Sequence, residues 1–139
     1  MAAHQRTKLL QAASCVLCAA VNWRYKSDLW GTEFSGGSVT GRLLDLKLVG
    51  DLLLLLAIPL TFVLRRTAAV VTLMACLLCM PLYFYFTAPG PFRRLVGGEW
   101  KSPLWANWNW DWWTIAGVTT VLFAVLVCVR SLVVRQARV

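Results

Sequence analysis

Four apolar stretches, each long enough for several helical turns, are separated by short polar or aromatic segments: Leu9 to Trp23, Leu43 to Leu64, Ala68 to Phe86, and Trp112 to Val134. A membrane core of roughly 30 Å needs about 20 apolar residues in helical form. The last three stretches meet or approach that length. The first is the weakest: Arg6 and Lys8 ahead of a short apolar core also fit a signal peptide. We expect a retained first span, with Lys8 reaching to the surface and Trp23 anchoring the other end.

The connections differ in kind. Residues 24–42 form a polar loop with four glycines (Gly31, Gly36, Gly37, Gly41), compatible with a tight turn near Gly36-Gly37, and carry Tyr25, Trp30 and Phe34. Arg65-Arg66 alone divides the second and third stretches, which predicts an antiparallel helical hairpin. Pro59 removes one backbone donor and is expected to bend the second helix. Thr87 to Asp111 begins rich in Pro and Gly, then becomes WKSPLWANWNWDWW from Trp100 to Trp113. Ser102 and Pro103 suit an N-cap and a first helical position. A short interfacial helix would then align Trp105, Trp108 and Trp112, while the alternation of Trp108, Trp110 and Trp112 fits a strand equally well. Asp111 is well placed to cap the fourth helix.

Composition agrees with a membrane protein: 59% of residues are hydrophobic and 14% charged, whereas soluble domains run near half and a quarter. The expected fold class is all-α, an integral membrane four-helix bundle with two structured extracytoplasmic loops, residues 1–139 forming a single membrane domain. The net charge of +8 lies at the ends of apolar stretches, so it signals orientation and not nucleic acid. With the N-terminus inside, the inner ends hold Arg6, Lys8, Arg65, Arg66, Arg130, Arg135 and Arg138 and no acid. All six acidic residues and all tryptophans and tyrosines then fall outside or at the outer interface. Lys and Arg alone divide evenly between the sides, so the orientation rests on the tight Arg65-Arg66 turn and the basic tail. The expected location is a plasma or bacterial inner membrane, with an organelle membrane as the alternative, and both termini cytoplasmic.

Six of the eight tryptophans crowd residues 100–113. Tryptophan settles where hydrocarbon meets water, but this density exceeds an anchor's needs and suggests a partner surface. Trp100, Trp105, Trp108, Trp110 and Trp30 are the candidate interaction residues. Lys47 and Asp51 share a helical face with Gly50. Asp51 lies 14 residues from Arg65, roughly 21 Å at helical rise, below the surface but short of the centre. An unpaired charge there costs a few kcal/mol. The pair is expected to lock the second span to a neighbour or to a loop; the functional alternative is an ion or proton site. Below it, Leu52 to Leu64 offers only Thr61 as a polar residue, which is poor provision for a transport path.

Cys15 and Cys18, and Cys76 and Cys79, form two CxxC pairs on the stripes Gln11-Cys15-Cys18-Asn22 and Thr72-Cys76-Cys79-Tyr83. All five cysteines, Cys128 included, lie in apolar stretches, which excludes a loop disulfide framework. Four thiolates at similar depth are geometrically conceivable as a metal site, but cysteine is also a small packing residue, and packing is the expectation. Span count and CxxC spacing resemble membrane thiol oxidoreductases of the vitamin K epoxide reductase and DsbB types. Those families carry a second cysteine pair in an outer loop; both outer loops here lack cysteine, so the resemblance does not extend to function. His4, the one histidine, lies near the N-terminus and cannot ligate a haem within the bundle. No catalytic set assembles, and neither a metal nor another cofactor is expected. Ala116, Thr120 and Ala124 give the fourth span a small packing face.

These features point to a non-catalytic multi-pass protein, an accessory or assembly subunit whose partners are the lipid bilayer and other membrane-protein subunits, not nucleic acid. A small transporter or channel using Lys47 and Asp51 is the second expectation, and a thiol-dependent membrane oxidoreductase the third.

Overall fold

A computed structural model describes residues 3–25, 39–87 and 111–133. They form four α-helices: α1 (Ala3–Arg24), α2 (Val39–Val63), α3 (Arg65–Thr87) and α4 (Trp112–Val133). The all-α expectation holds for these residues. The candidate interaction residues Trp30, Trp100, Trp105, Trp108 and Trp110 lie outside them, as do residues 26–38 and 88–110 of the two outer loops, Arg135 and Arg138.

α1 packs against α2 and α4, α3 packs against α2 and α4, and α2 with α3 forms the most extensive interface. Side-chain bonds fix the directions. Lys8 Nζ donates to the Phe62 carbonyl at 3.0 Å, Gln11 Nε2 to the Arg65 carbonyl at 3.2 Å, and Arg65 Nε to Ser131 Oγ at 2.8 Å. The start of α1, the end of α2, the start of α3 and the end of α4 therefore share one end of an up-down-up-down bundle.

The predicted boundaries shift in places. α2 begins at Val39, four residues before Leu43, and Arg65 already belongs to α3, so Leu64 alone separates the two helices. Val39, Thr40 and Gly41 are weak helix formers without a long apolar run, which is why apolarity alone starts the element too late. Pro59 lies within α2, and Pro81 within α3. Asp111 caps α4: its Oδ1 accepts from the Thr114 N–H at 2.6 Å, and its carbonyl accepts from the Ile115 N–H at 3.0 Å.

Three helices, α2, α3 and α4, are long and apolar enough to cross a membrane. α1 has the length, 22 residues, without comparable apolar content, because Gln11, Ser14 and Asn22 interrupt it. All three polar side chains are buried, while Leu9, Leu10, Val16, Leu17 and Trp23 on the same helix are exposed. The other helices repeat this inversion. Lys47, Asp51, Thr61, Thr72, Thr114, Thr120 and Ser131 face inward, and leucine, valine and phenylalanine dominate the exposed surface. A soluble bundle has the opposite arrangement, and an apolar exterior this extensive needs lipid or a partner against it.

The helix contacts are made largely by small residues. Ala57, Ala68, Ala69, Ala75, Ala124, Gly50 and Gly117 are all buried, and small side chains let helix backbones approach closely where apolar burial supplies no drive. A Cβ on Gly50 would come within 2.5 Å of Cys79 Sγ, and one on Gly117 would collide with the Tyr83 ring and hydroxyl. The α4 face thus runs through Gly117, Thr120, Ala124 and Cys128; Ala116, assigned to that face from spacing, is only half-buried.

Candidate functional site: a closed polar network

The helical spacing of Lys47 and Asp51 brings them together as expected. Lys47 Nζ donates to Asp51 Oδ2 at 2.8 Å, with the side chains 0% and 2% exposed. The second carboxylate oxygen is filled from another helix: Asn22 Nδ2 donates to Asp51 Oδ1 at 2.6 Å. The same amide nitrogen donates to Cys79 Sγ, and the amide oxygen accepts from the Tyr83 hydroxyl at 2.7 Å. Asn22 thus spends both amide hydrogens and its carbonyl on groups of α2 and α3.

The network continues to α4. Tyr83 stacks on Tyr25, just past the end of α1, with ring centroids 4.2 Å apart and planes at 28°. Thr114 Oγ1 donates to the Tyr25 hydroxyl at 3.2 Å. Burial pushes the Tyr25 phenol up to about 12, so it stays protonated at neutral pH. Phe86 packs edge-on to Tyr25, and Arg24 sits 5.6 Å from the centre of the Trp113 ring. All four helices therefore contribute to one aromatic and polar cluster at the end away from Arg65.

All five cysteines are buried and free, and Cys79 borders this cluster through Asn22. Thr72 donates its hydroxyl proton to the Ala68 carbonyl at 2.8 Å, so at the 3.2 Å contact between Thr72 Oγ1 and Cys15 Sγ the thiol is the donor. Cys18 and Cys76 are both buried in this interior, and the Thr120 hydroxyl donates to the Gly117 carbonyl at 2.9 Å. The two CxxC stripes therefore do face the interior, as their spacing implies, with Cys15 against the Thr72 hydroxyl and Cys79 against the Asn22 amide and the Lys47 carbonyl. Among the described residues no three His, Cys, Asp or Glu side chains converge as a metal ion would require.

A third set of bonds closes the Arg65 end. Arg65 Nε donates to Ser131 Oγ at 2.8 Å, and the Ser131 hydroxyl donates to Gln11 Oε1 at 3.1 Å. Gln11 in turn donates to the Arg65 carbonyl, making a ring through α1, α3 and α4.

Asn22, Tyr83, Tyr25 and Thr114 are site residues that spacing alone does not assign, and so is Gly117 beside the Tyr83 ring. Asn22 and Tyr83 occupy the ends of the two cysteine stripes, so burial was readable for both; their partnership with Asp51 was not. Comparisons with protein-family models, curated proteins and solved structures return no match for this chain. The functional argument accordingly rests on the chain's own residues.

Proposed function

We propose that this protein is a non-catalytic, four-span integral membrane protein that serves as an accessory or assembly subunit of a larger membrane complex. In this reading α1 crosses the bilayer with the other three helices. Its 22 residues rise roughly 33 Å, which matches a core of roughly 30 Å, and its polar side chains face protein while its leucines and valines face outward. The arginine-rich end lies on the cytoplasmic side of a plasma or bacterial inner membrane, and the tryptophan-rich segment lies on the opposite side.

The observation that carries the reading is where the buried polar groups are spent. Lys47 is 0% and Asp51 1% exposed, and both carboxylate oxygens are engaged by the chain's own helices. Such a pair holds α2 to α1 and offers no group to a passing ion. The buried thiols are likewise occupied in packing. What remains for other molecules is the outer surface, and the sequence's most distinctive candidate for a partner contact is the tryptophan-rich stretch of residues 100–113. Large aromatic side chains supply much of the binding energy at protein interfaces.

The test is co-purification in mild detergent. Trp105→Ala with Trp108→Ala is expected to leave insertion and monomer folding intact while releasing a stoichiometric partner. Retention of every partner by the double variant would contradict the subunit reading, as would a clean homo-oligomer from the wild-type chain.

A further inference from the structure

A cavity of about 400 Å³ opens between α1 and α4 at the Arg65 end, within the size range of small-molecule sites. Arg6, Arg65 and Arg130 line it together with Leu10, Phe123 and Leu126. The order of these residues along the helices matters. On α1, Arg6 precedes Leu10 by four positions; on α4, Arg130 follows Leu126 by four. Because the two helices run in opposite directions, each places an arginine about one turn, roughly 5.4 Å, farther out than its leucine. The cavity is thus cationic at its mouth and apolar below.

Among the described residues no carboxylate pairs with these arginines. Among the described residues the ion pair is Lys47 with Asp51 at the other end of the bundle. Arg65 spends donors on the Ser131 hydroxyl and carbonyl, and a guanidinium carries five. Leu126 is 69% exposed, so the apolar part opens sideways along the outer surface and does not end in a closed pit.

We propose that this groove binds one anionic phospholipid, its phosphate among Arg6, Arg65 and Arg130 and an acyl chain along Leu10, Phe123 and Leu126. Guanidinium groups pair with phosphate through parallel charge-assisted hydrogen bonds. The sideways-opening apolar part fits a ligand that carries a hydrocarbon chain. The proposal rests on membrane insertion but not on the subunit reading, and it is tested on the isolated protein, so the two fail separately.

The experiment is native mass spectrometry of the delipidated, detergent-purified chain titrated with phosphatidylglycerol or phosphatidylcholine of identical acyl chains. One phosphatidylglycerol is expected to bind at least about tenfold more tightly than phosphatidylcholine, and millimolar inorganic phosphate is expected not to displace it. Arg6→Gln with Arg130→Gln, both at exposed positions, should reduce the preference to within about twofold. Leu126→Trp, which fills the apolar part without touching the arginines, should lower occupancy by phosphatidylglycerol as well. Equal binding of the two lipids, an unchanged preference in the double arginine variant, or full occupancy in Leu126→Trp would each overturn the proposal. Displacement by inorganic phosphate would assign the groove to a free anion instead.

Discussion

Asn22 holds the carboxylate of Asp51 across a helix interface, its amide donating to Oδ1 at 2.6 Å while Lys47 occupies Oδ2 from within α2 at 2.8 Å. One asparagine thereby determines whether a buried acid is satisfied on both oxygens or on one. It also accepts the Tyr83 hydroxyl, so a single residue joins three helices.

Asn22→Leu is accordingly expected to destabilise the bundle by about 1–3 kcal/mol, the cost of leaving buried polar groups without partners. Both Asp51 and Tyr83 lose a bond in this variant. Thermal unfolding in detergent, followed by helical circular dichroism, measures the loss. Unchanged stability would mean that the Asn22 bonds contribute nothing net.

The ion pair calls for a double-mutant cycle. Removing one member strands the other, so Lys47→Leu and Asp51→Leu should each cost about 3–5 kcal/mol. The combined variant should recover much of the loss, because two leucines need no partner in an apolar setting. A different outcome decides for transport: single variants that fold and assemble normally but abolish a measured ion flux would make the pair functional and not structural.

Much of this arrangement is legible in the sequence. The stripes Gln11-Cys15-Cys18-Asn22 and Thr72-Cys76-Cys79-Tyr83 are buried along their whole length, as a period of 3.6 requires. Lys47 and Asp51 pair within one helix, where spacing is decisive. Partnership between helices was not legible. Asn22 and Asp51 are 29 residues apart, and their contact depends on how α1 slides and rotates against α2, which side-chain shape sets and periodicity does not. The α4 face illustrates the same limit. Ala116 and Gly117 are adjacent, about 100° apart around the helix, and choosing between them requires knowing that the Tyr83 ring lies there.

Gly117 offers a test of that close approach. A methyl group at this position would collide with the Tyr83 ring and hydroxyl, so Gly117→Ala should cost about 1–3 kcal/mol through overpacking, despite alanine's better helix propensity. Tyr83→Leu in the same chain should relieve part of the clash. A Gly117→Ala variant as stable as the parent, by thermal unfolding in the same detergent, would show that α3 and α4 are not packed this closely.

In the proposed topology α1 crosses the membrane although its composition alone does not mark it as a span. Substituted-cysteine labelling decides this, in a background without the native cysteines and with an impermeant thiol reagent applied to intact cells. Cysteines at Ser35 and Ser102 are expected to label directly, whereas those at Ala2 and Gln136 should label only after permeabilisation. Labelling of Ala2 and Ser35 from the same side would contradict the account, since it would leave α1 outside the bilayer and its buried polar face without the setting that explains it.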